Sequence, residues 1–362
     1  MRRPELRELH HELSRRDLLR LAGVGVSGVA LAAIVGCGGS DEGKGNATRA
    51  PGIVVDPPPE TTTIRLQKYI NSGPRFAPLY LAEQFLTAEG FTHVQYIDHE
   101  GGDATLQQIA SGEIDIGMPF PSEVTVAADR GDPLVVLAGV HNSPFVIFGN
   151  DQVQTLRDLR GKRIATYGDN GILILFSALL AYVGIDVERE VEFVDVNLLD
   201  VFGKALDGAF DAWITIPPIS TAFRKAKIGH VIVDGHVDPP WSQYFGAMAT
   251  GNKDFVEKHP AATKRALRAI MKATDVCARD PEGAARYLVD KGYFSINYDI
   301  TLDGINGVSY AAWRAFNPED TMRFYALRLK EAGLIKSTPD ELIARATDWR
   351  YLNEIKRELG VT

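Results

Sequence analysis

The chain has 362 residues, 45% hydrophobic and 24% charged, with a formal net charge of −8. That length exceeds one ordinary domain and leaves room for two lobes with cores of their own. The acidic balance argues against nucleic acid as a partner, and the two distant cysteines, Cys37 and Cys277, exclude a disulfide framework and a zinc site of Cys/His spacing.

In chain order, the first segment reads as an address. Ser14-Arg15-Arg16-Asp17-Leu18-Leu19-Arg20 matches the twin-arginine export pattern, and an uncharged stretch runs from Leu21 to Gly36. It is rich in Gly and Ala and too short for a comfortable membrane span. Residues 1–36 therefore read as a signal peptide rather than as fold. They carry six Arg against four acidic residues, so the chain from Cys37 onward stands near −10. The stretch ends in Ile34-Val35-Gly36-Cys37-Gly38-Gly39, which resembles a bacterial lipobox, where lipid is attached to the cysteine and Cys37 becomes the new N-terminus. A plain signal peptide with a chance cysteine is the alternative. Residues 37–61, rich in Gly, Pro, Asp, Glu and Thr, read as a flexible tether.

The body alternates strand and helix. Alternating or continuous apolar runs predict strands at 63–70, 94–97, 114–118 and 134–140, separated by helices over 76–89, 103–111 and 123–130. The pattern restarts with strands at 163–167, 191–196, 212–216 and 231–233 and helices over 172–183 and 199–206. Such alternation implies mainly parallel sheets with both faces covered. Beyond residue 253 the pattern is almost wholly helical, and those helices are expected to pack back on the first lobe. The organisation that follows is lobe 1 from 62–145 plus 246–362, and lobe 2 from 146–245.

Four segments carry a resemblance. Ala77-Pro78-Leu79-Tyr80-Leu81-Ala82, Ile109-Ala110-Ser111-Gly112-Glu113-Ile114-Asp115-Ile116-Gly117, Asp158-Leu159-Arg160-Gly161-Lys162-Arg163-Ile164-Ala165 and Ala205-Leu206-Asp207-Gly208-Ala209-Phe210-Asp211-Ala212-Trp213 occur in this order. Together they resemble the periplasmic solute-binding proteins of the aliphatic sulfonate, taurine and nitrate group and their thiamine-precursor-binding, NMT1-like relatives. The resemblance implies an α/β, two-lobed periplasmic-binding-protein fold of type II, with two hinge crossovers and a ligand in the cleft. It implies an ABC permease and ATPase as partners, no cofactor and no metal. With Cys37 it implies an exported monomer, anchored by lipid outside the cytoplasmic membrane. A ligand sensor for a membrane receptor and an enzyme like the fungal thiamine-pyrimidine synthases are the alternatives. The latter carry a cysteine-rich motif that two isolated cysteines do not supply. The sequence has no G-x-S-x-G, P-loop, Rossmann glycine fingerprint or H-E-x-x-H.

Ligands of open α/β sheets sit beyond the carboxyl ends of strands, which selects the candidate contacts. After the first strand, Ser72 and Gly73 offer N–H groups, Arg75 a cation for a carboxylate, phosphate or sulfonate, and Phe76 a wall. A surface arginine is the plainer reading. Pro121 and Ser122 follow the third strand, where Ser122 either caps a helix or meets the ligand. His141 follows the fourth strand and is either structural or a contact. In lobe 2 the turn Gly168-Asp169-Asn170-Gly171 is the best predicted contact, although Asp169 disfavours a nearby anion, and Tyr167 joins Phe76, Trp213, Trp241 and Tyr244 in an expected aromatic lining. Asp211 could hold a ligand amine and Trp213 could stack on a ring, or Trp213 is core. Trp241, in the second crossover, is placed at the cleft mouth.

Overall fold

The computed structural model describes residues 56–69, 73–99, 102–142, 144–166, 170–197, 200–294 and 297–361. The expected signal peptide, Cys37 and the expected tether before residue 56 lie outside these. Ten strands form two five-stranded sheets. The first contains β1 (Thr63–Tyr69), β2 (His93–His99), β3 (Ile116–Gly117), β4 (Leu134–Asn142) and β10 (Phe245–Asn252) in the order β2-β1-β3-β10-β4. The second contains β5 (Val146–Gly149), β6 (Arg163–Thr166), β7 (Glu192–Asp195), β8 (Ala212–Thr215) and β9 (His230–Asp234) in the order β7-β6-β8-β5-β9. The two orders are the same arrangement used twice. In each sheet four strands run one way, and the fourth in order, β10 or β5, runs against both its neighbours. That antiparallel strand is the first one laid down after the chain arrives from the other sheet.

The mainly parallel α/β reading holds, but the two antiparallel strands were not legible in the sequence. β5 is four residues long, and β10 reads Phe-Gly-Ala-Met-Ala-Thr-Gly-Asn, with few residues that favour strands. Pairing on both sides imposes extended backbone on β10, and all eight of its residues are buried. Gly139 of β4 makes this possible, because a Cβ there would lie 2.2 Å from the ring of Phe245. β4 is buried at all nine positions, as its continuous apolar run requires of a strand covered on both faces. The single helix predicted over 76–89 is instead a 3-10 turn (Pro74–Phe76) followed by two short helices, Ala77–Leu81 and Glu83–Leu86.

The C-terminal helices cover the first sheet. The longest, Pro260–Arg279, receives residues read in the sequence as tether. The Glu60 carboxylate accepts from Ala261 and Ala262 N–H at 3.0 and 2.9 Å, where the helix start leaves donors free. Asp56 pairs with Lys264 at 2.7 Å and with Arg268, whose charge is shared with Glu89 and with Glu358 at 2.8 Å. Residues 56–60 are thus fastened to the body, and the predicted tether 37–61 is fixed over its last residues. Helix Pro318–Glu331 also reaches helix Asn170–Tyr182 of the second sheet, where Phe324 and Tyr182 lie 6.2 Å apart. One continuous apolar core therefore runs through both halves, and a smaller one closes the far face of the second sheet around Phe148, Phe210, Trp213 and Phe223. Among the described residues no helix is long and apolar enough to cross a membrane.

Candidate functional site

The carboxyl ends of β1 and β3 bring a cation and three rings together. β1 ends at Tyr69, and Pro74 then opens the 3-10 turn that carries Arg75 and Phe76. Tyr69 stacks on Phe76 with ring centres 5.5 Å apart. The Arg75 side chain is buried; its guanidinium donates to Met118 O at 3.0 Å and lies 3.7 Å from the Phe120 ring centre and 4.5 Å from that of Phe76. A cation so placed is held by ring quadrupoles as well as by its hydrogen bond.

Beside it, helix Pro121–Arg130 starts with a proline at its first position, where no N–H is wanted. Glu123 reaches back to Phe120 N–H at 2.8 Å. Ser122 is fully buried and its Oγ has no partner among the described residues. Its hydroxyl does not cap the helix, so the capping reading of Ser122 falls away. A buried hydroxyl left unsatisfied costs stability unless something else completes it.

The turn is braced from below. Tyr310 Oη donates to Pro74 O, and the His141 Nε2 lies 3.1 Å from Arg75 O while its Nδ1 lies 2.7 Å from Asn142 O. His141 is wholly buried, and that burial, with the Arg75 charge adding to it, pushes its pKa down to about 4. The ring is neutral at neutral pH, carries one N–H for two carbonyls, and positions the Arg75 backbone.

The second half meets this surface at the end of β8. Thr215, its last residue, is fully buried, and its Oγ1 is unpartnered among the described residues. The following Pro217 carbonyl comes so near Gly73 that a Cβ there would lie 3.3 Å from it. On the rim Lys225 and Asp303 pair at 2.6 Å. Tyr182 packs against Trp241 of the second crossover at 5.0 Å and lies under Arg328.

The structure thus packs Arg75 against Phe76 and against Phe120, the residue that precedes Pro121 and Ser122, and sets His141 against the Arg75 carbonyl. Ser72, Tyr167 and Asp169 lie outside the described residues, and Asn170 begins its helix there without a described side chain. Two expectations, for Asp211 and Trp241, are corrected, and of the two readings of Trp213 the core one holds. Asp211 stands at the amino end of β8, opposite the cleft ends, and its carboxylate is committed to Arg163 and to the Asn150 amide at 3.1 Å. Trp213 is core, stacked 5.6 Å from Phe148 and 1% exposed. Trp241 is not at an open mouth but buried among Phe145, Tyr182 and Phe324. Tyr69 and Thr215 were missed. Both are the last residues of strands, and that position was the available signal. Among the described residues no group of acidic, His or Cys side chains is arranged to hold a metal.

The family described as NMT1/THI5 like matches residues 73–284. A 4-amino-5-hydroxymethyl-2-methylpyrimidine phosphate synthase of Aspergillus parasiticus is 24% identical over 237 residues, 61% of this chain and 68% of that protein. The taurine-binding periplasmic protein of Escherichia coli (strain K12) is 25% identical over 214 residues, 57% and 66% of the two chains. The crystal structure of the periplasmic nitrate-binding protein NrtA from Synechocystis PCC 6803 superposes with a TM-score of 0.68 at 15% identity, over 84% of this chain and 90% of that one.

Proposed function

Because the chain belongs to the NMT1/THI5-like family, we propose that it is the solute-binding subunit of an ABC importer. In this reading it is exported, anchored through lipid on Cys37, and monomeric. It captures a small organic ligand between lobe 1 (62–145 with 246–362) and lobe 2 (146–245), and hands it to a permease and ATPase. The ligand classes we favour are a sulfonate, a nitrate-like anion or a planar heterocycle.

One observation carries the reading: a buried Arg75 between Phe76 and Phe120, with the unsatisfied Ser122 hydroxyl two residues after Phe120 in the chain, at strand ends that face the other half of the molecule. The cation and hydroxyl suit an oxyanion, and the rings suit an apolar or planar body. The chain crosses between the sheets twice, which is the arrangement a hinge needs, and closure is favoured only by a ligand that touches both sides.

A second reading, an enzyme like the pyrimidine phosphate synthases, draws on the Aspergillus parasiticus relative. We rank it lower because His141, whose ring meets the Arg75 carbonyl, faces two main-chain carbonyls rather than open space. A thermal-shift screen of sulfonates, nitrate and heterocycles, followed by mass spectrometry of the recovered ligand, tests both. A ligand at about 100-fold over its Kd adds about 2.7 kcal/mol of stability. Recovery of that ligand unchanged supports transport, and recovery of a product overturns it.

A further inference from the structure

Away from the cleft, a cavity of about 490 Å³ opens between helix Ala312–Ala315, the start of helix Pro318–Glu331 and helix Arg350–Glu358. Its walls include Phe316, Leu352 and Val361, and its polar groups are unequal in how well they are met. Arg314 is neutralised by Asp275, and Glu319 by Arg323 at 3.1 Å. Lys356 is half-buried, and among the described residues its ammonium meets only the carbonyls of Arg314 and Phe316, each at 3.5 Å. The Trp349 indole N–H is buried and has no partner among the described residues.

We propose that this cavity binds a small-molecule carboxylate with an apolar body, its oxygens taken by the Lys356 ammonium and the Trp349 indole N–H. Both groups only donate, so they need an acceptor. The two carbonyls already offer Lys356 dipoles but no charge, and a half-buried ammonium gains most from an anion. The apolar walls favour a ligand that buries carbon over a hydrated inorganic ion. Burial pushes the Lys356 ammonium below the ordinary lysine range, and a bound carboxylate would push it back up.

The test uses the full chain labelled with nitrogen-15, in which four tryptophans give four indole signals. The probe is benzoate, with benzamide as its neutral counterpart. The Trp349 signal, assigned by its loss in Trp349→Phe, should move saturably with benzoate while the other three stay in place. Benzamide should bind at least about ten-fold more weakly. Lys356→Met should abolish the shift and Lys356→Arg should keep it. Retention of the other three signals reports whether Lys356→Met has folded; where it has not, the benzoate and benzamide comparison decides alone. A Trp349 signal that never moves, an equal response to benzamide, or a response that survives in folded Lys356→Met overturns the proposal.

Discussion

Asp211 grips Arg163 twice, accepting its main-chain N–H at 2.9 Å and its guanidinium at 3.3 Å. Asp115 does the same to Arg65 in the other sheet, at 2.7 Å to the N–H and 3.2 Å to Nε. Each carboxylate ties two neighbouring parallel strands at their amino ends, β6 to β8 and β1 to β3. The repeated Gly-x-x-Asp spacing, Gly112 to Asp115 and Gly208 to Asp211, therefore marks a structural brace used once per sheet.

Removing that brace should weaken the fold and spare the ligand site. Burial opposes ionisation of Asp211, but the Arg163 N–H, the Arg163 guanidinium and the Asn150 amide outweigh it and hold the carboxyl below its ordinary range. Its contribution is present above that range and is lost as pH falls through the lowered value. Asp211→Asn should cost about 1–3 kcal/mol at pH 7 and flatten the acid limb of stability. Urea unfolding across pH checks this, and ligand affinity of the folded variant should stay within about two-fold.

His141 sets a second pH dependence. Its folded pKa of about 4 lies below the ordinary value of 6.5, so between those limits the unfolded chain binds a proton that the native state refuses. Stability is complete above pH 6.5 and falls as pH drops toward 4, by about 3 kcal/mol in all. In His141→Gln the slope over this window should shrink by up to one proton. An unchanged slope in urea unfolding would mean that His141 is not the group responsible.

The cleft groups separate stability from binding. Ser122 Oγ has no partner among the described residues, so Ser122→Ala should leave the ligand-free protein as stable or about 1 kcal/mol more stable while weakening the cleft ligand. Arg75→Met should weaken it by about 10–100-fold, the worth of a charged hydrogen bond. Calorimetric titration of the ligand found by the screen measures both. Unaltered affinity in the two variants removes these residues from the site.

Thiol counting tests the anchor. Cys277 is buried, and burial pushes its thiol well above the ordinary range, so it should not react in the native protein. If Cys37 carries lipid as a thioether, the mature protein shows no reactive thiol when native and one when unfolded. One reactive thiol in the native state, or an intact mass without the lipid, speaks for a plain signal peptide.

The amino-acid sequence by itself determined the alternation of strand and helix, its two rounds, and the breaks after strands at which Arg75, Phe76, Pro121 and Ser122 stand. Those are local matters: a period of two or 3.6, a glycine or proline that ends an element, a polar residue just beyond a strand. Only the tertiary structure decided that β5 and β10 are strands, because their backbone is extended by partners on both sides rather than by their own side chains. It alone decided the fates of Asp211 and Trp213. A carboxylate looks the same in sequence whether it faces a ligand or an arginine 48 residues away, and an indole looks the same in a cleft or against Phe148. What separates those outcomes is which end of the strand each occupies and what the rest of the chain has packed against it.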